Sequence, residues 1–379
     1  MRTERTPKAA RARPLDRDGA ALLRAVLDAP DDDEPRLVYA DWLTEQGDPR
    51  GEFIVAQIEL DRLGGDGATG PRADELRARE AHLLQKHKKK WTALAPGGRV
   101  TTTIGERTWV YGRPTKWEFR RGFAHTVAMD CEDLVANSAL LFSREPVERV
   151  HLTRGSLAAV LDEAEGIERL RELDLSNFRL RPDDAEALFS TRRLGALRTL
   201  DLTKCRLASD GAKALARANP EHFPSLTTLI LADASLSDRA VTTLAAAPLV
   251  AAVEELDLAR NKFGAAGAMA LARIPRTRWR RLYVTAARLG GEAGVALARS
   301  AAIAGVEELV LQAVSLDDDA VIALAARPLP SLRLLGLAYN ALTDRAAKAL
   351  RAAPWRAQLT SLDLDGNRAS ERPPEAPFS

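Results

Sequence analysis

From about residue 145 onward, apolar residues recur in one spacing. An apolar residue is followed after two variable positions by a second and after one more by a third; then come two variable positions, an Asn or Cys, one variable position and a last apolar residue. The clearest copies are Leu197-Leu200-Leu202-Cys205-Leu207, Val253-Leu256-Leu258-Asn261-Phe263 and Leu332-Leu335-Leu337-Asn340-Leu342. Looser copies start at Val147, Leu170, Leu226, Trp279, Val306 and Leu359, so the nine starts are separated by 23, 27, 29, 27, 26, 27, 26 and 27 residues. The alternating middle of each copy predicts a short strand that sends its leucines to one face. The Asn or Cys falls at a turn, where a buried polar side chain satisfies backbone groups. Capping residues then precede Ala/Leu-rich helices: Ser209-Asp210 before Ala212–Ala218, Ser237-Asp238 before Ala240–Ala246, and Thr343-Asp344 before Ala346–Ala352. One copy cannot bury its own apolar face. Stacked copies bury a continuous core, worth about 1.5–3 kcal/mol per buried Leu or Val.

This pattern resembles the leucine-rich repeat, and the period with a helix in each copy is similar to the ribonuclease-inhibitor subtype. The resemblance implies an α/β solenoid over residues 146–370, with about nine repeats, a curved parallel sheet inside and helices outside. Ala234, Ala287 and Val314 stand where the consensus has Asn, so looser turns are expected there. The array ends at Asp363-Leu364-Asp365-Gly366-Asn367, and 371–379 is expected to be a disordered tail.

Ahead of the array, residues 15–95 carry apolar residues at helical spacing and predict a small, mainly helical N-terminal domain. The stretch Arg36-Leu37-Val38-Tyr39-Ala40-Asp41-Trp42-Leu43, continued by Gly47-Asp48-Pro49-Arg50-Gly51-Glu52-Phe53-Ile54, resembles the repeat-companion domain found before leucine-rich repeats in some bacterial proteins. That family carries no settled activity to transfer. Residues 96–145 read as a capping and linking segment, with Gly97–Trp117 a loop or small hairpin and Arg120-Arg121-Gly122-Phe123 opening an edge strand. Residues 1–14, with Arg2, Arg5, Lys8, Arg11 and Arg13, read as a disordered basic tail.

Aromatic content is only 5%, so Ala and Leu carry the apolar load, which suits many similar thin layers. The formal net charge is +2, too close to neutral to argue for nucleic acid or a membrane. Cys131 and Cys205 are the only two cysteines, which excludes a disulfide framework or a Cys-x-x-Cys metal site. No apolar run nears the roughly 18 residues that span a bilayer, and no secretory signal opens the chain. The expectation is a soluble, cytoplasmic protein.

Candidate chemistry is sparse. Gly65-Asp66-Gly67-Ala68-Thr69-Gly70 spells G-x-G-x-x-G but follows a helix and precedes Pro71, so a linker is expected. The run Asp31-Asp32-Asp33-Glu34 lacks the spacing of a calcium loop and suits a helix start. Lys86-His87-Lys88-Lys89-Lys90-Trp91 suits a solvated helix end, with phosphate contact as the alternative. The five histidines share no ligand spacing, and no hydrolase, P-loop or zinc-protease motif occurs. No catalytic residue, metal or cofactor is expected.

The repeat register also predicts the side chains on the concave sheet face. The middle position reads His151, Asp174, Asp201, Ile230, Asp257, Tyr283, Val310, Gly336 and Asp363. Two residues earlier stand Arg149, Glu172, Thr199, Thr228, Glu255, Arg281, Glu308, Leu334 and Ser361. Asp174, Asp201, Glu255, Asp257 and Glu308 make this face acidic, which repels phosphate backbones and attracts a basic protein surface. A family preference for Asp between strand leucines is a second available source of that acidity. Ile230, Tyr283, Val310 and Leu334 are expected to form one apolar patch about 20 Å long, strands being roughly 4.8 Å apart. The expectation is a monomeric, non-enzymatic interaction scaffold that binds another protein there. Alternatives are an inhibitor or regulator of one enzyme, as in ribonuclease inhibitor or the Ran GTPase-activating proteins, and nucleic-acid contact through the basic N-terminal region.

Overall fold

The computed structural model describes residues 17–92, 99–104, 107–112 and 116–370. Both tails, 1–14 and 371–379, and parts of the Gly97–Trp117 segment lie outside the described residues. The chain divides into two compact units: residues up to Gly155 with Asp162–Leu170, and Ser156–Leu161 with the residues from Arg171 onward.

The first unit opens with helices α1 (Arg17–Asp28), α2 (Glu34–Glu45), α3 (Arg50–Arg62) and α4 (Pro71–Trp91). Strands β1 (Arg99–Ile104) and β2 (Arg107–Gly112) form an antiparallel hairpin. Strands β3 (Lys116–Arg120) and β4 (Phe123–Met129) pair antiparallel, helix α5 (Cys131–Phe142) follows, and β5 (Arg149–Leu152) pairs parallel with β4. The glycine-rich run is a short 3-10 turn between α3 and α4, as its flanks imply. Lys88, Lys89 and Lys90 occupy the last turn of α4, where the helix dipole favours cations.

The residues that carry the companion-domain resemblance turn out to build this unit. Leu23, Val26, Tyr39, Ala40, Leu43, Ile54, Ile58 and Phe123 share one core. Arg50 donates from Nε to the Gly122 carbonyl at 3.1 Å and from Nη2 to Glu145 at 2.6 Å, and its guanidinium lies 4.8 Å from the Phe123 ring centroid. Gln57 Oε1 accepts the Gly122 N–H at 2.6 Å. Gly122 has φ +82°, and a Cβ there would sit 2.1 Å from Ile54 Cγ1. Glycine is therefore required on both conformational and steric grounds.

Helix α6 (Leu157–Glu163) divides its residues between the units. In the second unit, strands β6 (Glu172–Asp174), β7 (Thr199–Asp201), β8 (Thr228–Ile230), β9 (Glu255–Asp257), β10 (Arg281–Tyr283), β11 (Glu308–Val310), β12 (Leu334–Gly336) and β13 (Ser361–Asp363) pair in sequence order, all parallel. Helices α7 (Pro182–Ser190), α8 (Ala208–Ala216), α9 (Asp238–Ala245), α10 (Pro248–Ala252), α11 (Ala265–Ala272), α12 (Gly290–Arg299), α13 (Asp318–Ala325) and α14 (Asp344–Ala352) connect them. The central leucine of each strand from β6 to β12 is buried, so the core lies between the sheet and these helices. Ser237 and Thr343 cap α9 and α14 by accepting the N–H groups of Ala240 and Arg345. Helix α8 differs from expectation: it begins at Ala208, and Ser209 lies inside its first turn.

The turn position explains the uneven consensus. Asn261 Nδ2 donates to Leu231 O at 2.8 Å and its Oδ1 accepts the Leu236 N–H at 3.0 Å, both in the preceding repeat. Asn340 serves the preceding turn likewise, through Leu311 O, Val314 N–H and Leu316 N–H. The turns at Ala234 and Val314 are thus held by the next repeat's Asn, and only Ala287 has no such Asn after it. In eight repeats the residue before this position is left-handed, with φ between +52° and +68°: Asn177, Lys204, Asp233, Arg260, Ala286, Ala313, Tyr339 and Gly366.

Candidate partner-binding surface

From β6 to β11 the residues flanking each strand leucine stay half-exposed while the leucine is buried, so they line the open face of the sheet. In-register parallel pairing sets equivalent positions side by side. The middle row runs Asp174, Asp201, Ile230, Asp257, Tyr283, Val310, Gly336, Asp363. The row two residues earlier runs Glu172, Thr199, Thr228, Glu255, Arg281, Glu308, Leu334, Ser361.

This register brings Tyr283 and Val310 together on adjacent strands. It sets Ile230 between Asp201 and Asp257, with β9 lying between it and Tyr283. Leu334 lies in the other row, beside Glu308. Asp257 thus separates Ile230 from the adjoining pair Tyr283 and Val310, and Leu334 stands in a different row beside Glu308, because stacking order follows repeat order.

The polar side chains form defined contacts. Arg281 meets Glu255 at 2.7 Å, and the Tyr283 hydroxyl donates to Glu308 at 2.7 Å. Burial, then the hydrogen bond to Glu308, pushes the Tyr283 phenol well above its ordinary pKa. For Arg281, burial pulls downward, and the Glu255 hydrogen bond and charge outweigh it, leaving a net rise. Gln312 reaches across β12 and donates to Asp363 at 2.9 Å, over the small residues Gly336 and Ala338.

The acidity has an internal cause at the middle position. Asp174, Asp201, Asp257 and Asp363 each accept the backbone N–H two residues on, from Ser176, Thr203, Ala259 and Asp365, at 2.7–3.0 Å. Each aspartate closes the turn where its strand ends, a local role that suits Asp and Asn. The charge remains on the face nonetheless. Burial, with Glu255 and Asp201 adding to it, raises the Asp257 pKa, although the Ala259 N–H opposes the rise.

Tyr339 was not among the expected surface residues. It is 68% exposed, the largest exposed apolar side chain among the described residues, and follows β12 at the left-handed turn position. Its ring lies over Gly366, where a Cβ would come within 2.4 Å of it. Aligning the repeats exposes the signal, since a bulky aromatic stands where the others have Asn, Lys, Asp, Arg, Ala or Gly.

Among the described residues, no group of three or more His, Cys, Asp or Glu is arranged to hold a metal, and no helix is long and apolar enough to cross a membrane. Cys205 is buried, donating from Sγ to Leu175 O at 2.7 Å, and burial pushes its thiol up to about 12, the setting of a structural rather than a nucleophilic cysteine.

A family model described as a leucine-rich repeat matches residues 197–216 and 253–272. No curated protein matches the chain. Among solved structures, an internalin from Listeria monocytogenes is similar at 16% identity, covering 62% of this chain and 72% of its own, with a TM-score of 0.33. A plant ice-binding protein is similar at 20% identity, covering 48% and 60%, with a TM-score of 0.29.

Proposed function

We propose that this leucine-rich-repeat protein is a non-enzymatic, monomeric, cytoplasmic interaction scaffold whose open sheet face, the expected concave one, binds a protein with a basic surface. The observation that carries the reading is the composition of that face. From β6 to β13 its two rows present seven carboxylates, Glu172, Asp174, Asp201, Glu255, Asp257, Glu308 and Asp363, against the single cation Arg281. The flanking chemistry repels phosphate, which disfavours a nucleic-acid partner on this face. Tyr283 and Val310 supply an adjoining apolar anchor of the kind that dominates interfaces, with Ile230 and Leu334 as outlying contacts. A solenoid preorganised by its own turn network loses little entropy on docking. In this reading the repeats are of the ribonuclease-inhibitor type, residues 15–95 are a repeat-companion domain, and 96–145 cap the array over 146–370.

The test is affinity capture from native extract with the full chain, beside two variants of unchanged circular dichroism. One carries Tyr283→Ala and Val310→Asp; the other carries Asp201→Lys and Glu308→Lys. The expected result is a protein held by the intact chain in a salt-sensitive way and lost with both variants. Retention of the same partners by both variants overturns the assignment of this face.

A further inference from the structure

The first unit contains a cavity of about 130 Å³ whose lining includes Asp31, Arg36, Arg120, Arg121, His125 and Glu148. Arg36 is the unusual member. It is only 4% exposed, yet no carboxylate lies within ion-pairing distance of it among the described residues. Its Nη2 donates to the Pro30 carbonyl at 2.7 Å and its Nη1 reaches the Arg121 carbonyl at 3.5 Å. Its Nε–H is buried and has no acceptor. The guanidinium also stacks 5.1 Å from the Phe123 ring centroid, which fixes its plane. Burial, helped by Arg121, pushes its pKa down to about 10. A buried cation with no direct ion pair and one donor unmade, on which the charges of Asp33, Glu148 and Glu145 act only from beyond contact, is a costly arrangement for a fold to keep.

The surrounding charges divide into occupied and available. Arg121 is taken up by Asp61 at 3.0 Å and Asp33 at 3.5 Å. The His125 ring lies 3.4 Å from Glu148 and 3.2 Å from the Thr126 hydroxyl. Arg120, 57% exposed, reaches only Asp61 among the described residues, at 3.6 Å.

We propose that this cavity is a binding site for a single carboxylate, received between Arg36 and Arg120, both of which line it. A planar guanidinium edge matches the two oxygens of a carboxylate. Asp31 and Glu148 in the lining oppose a dianion more strongly than a monoanion, which favours carboxylate over phosphate. The volume equals that of about four waters at roughly 30 Å³ each, enough for a carboxylate and its first methylenes. An acidic side chain and a chain terminus both supply that group.

The experiment titrates the isotopically labelled full chain with sodium acetate at constant ionic strength, against sodium chloride, and follows the Arg36 Nε–H resonance. The expected result is a saturable shift with acetate, absent with chloride and weaker with phosphate. The Arg120→Gln variant, whose side chain is outside the core, should weaken acetate binding about tenfold, the scale of one charge-assisted hydrogen bond. Arg36→Gln, if it keeps its circular dichroism, should abolish the response. Two capped peptides then identify the source: one has a free C-terminal carboxylate, and the other has an internal Glu and an amidated end. Displacement of acetate by either one supports the site. No saturable shift, an equal shift with chloride, tighter binding of phosphate, or an Arg120→Gln variant with unchanged affinity each overturns it.

Discussion

Replacing Asn340 by alanine tests whether the turn network holds the array. Its Oδ1 accepts the Val314 and Leu316 N–H groups at 3.1 and 3.0 Å, and its Nδ2 donates to Leu311 O at 2.8 Å and Leu337 O at 2.9 Å. Asn367 Nδ2 also donates to Leu337 O, at 2.9 Å, so that carbonyl keeps a partner in the variant. Three groups lose theirs: two N–H donors and the Leu311 carbonyl. At about 1–3 kcal/mol for each buried unsatisfied group, and taking the lower part of that range because the turn borders solvent, the loss should be about 3–5 kcal/mol. Urea unfolding gives the total. Hydrogen exchange gives the location, because a repeat array opens in segments. The Val314 and Leu316 amides should lose protection first, although both are a repeat away from the mutation. Asn340→Asp should cost a comparable amount at neutral pH, since a carboxylate restores the acceptor but faces the Leu311 carbonyl without a donor. A loss below about 1 kcal/mol, or unchanged protection at residues 314 and 316, would refute the claim that each Asn secures the preceding turn.

Gly122→Ala should destabilise the first unit by about 3–5 kcal/mol, through its φ of +82° and the 2.1 Å approach to Ile54; hydrogen exchange within α3 reads this, and wild-type protection there would contradict it. The Tyr283 phenol should ionise above the ordinary value of about 10. Because the folded value is the higher one, the stability it supplies is complete below the unfolded pKa and is lost as pH rises through the folded pKa. An ultraviolet titration of the wild type minus Tyr283→Phe checks this, and Glu308→Gln should move the midpoint down. Asp257→Asn keeps an oxygen for the Ala259 N–H and removes a charge whose pKa burial raises. The protonated form's advantage is present at low pH and fades as pH rises through the folded pKa, so the variant should gain stability at pH 7 and lose that gain toward pH 3. Urea midpoints at the two values decide it.

Much of the solenoid was legible because its determinants are local and repeated. The leucine alternation marks the strands, and the same register places Asp201, Asp257 and Tyr283 on one face. Legibility declined where one residue serves another repeat. Ala234 and Val314 read as weak turns, yet Asn261 and Asn340 hold them from the following repeat, a contact about 25 residues away in the chain. Likewise the apolar residues of the face read as one patch when counted by type. Neighbour identity depends on which strands pair and in what register, and that pairing interposes Asp257 between Ile230 and Tyr283.

In the first unit, the motif residues Arg36 and Arg50 had no role in the sequence reading, and Gly122 had only that of opening an edge strand. The partners of Gly122 and Arg50 lie 65 and 95 positions away, at Gln57 and Glu145, where no local periodicity can reveal them. Sequence by itself therefore determined the period, the strands and the face that each side chain takes, because these follow from spacing along the chain. Tertiary structure decided which side chains satisfy which backbone groups, which carboxylate separates the apolar anchors, and which buried arginine is left without a direct ion pair. Hydrogen bonding and charge pairing depend on distances in space, and the folded chain sets those only after the repeats have stacked.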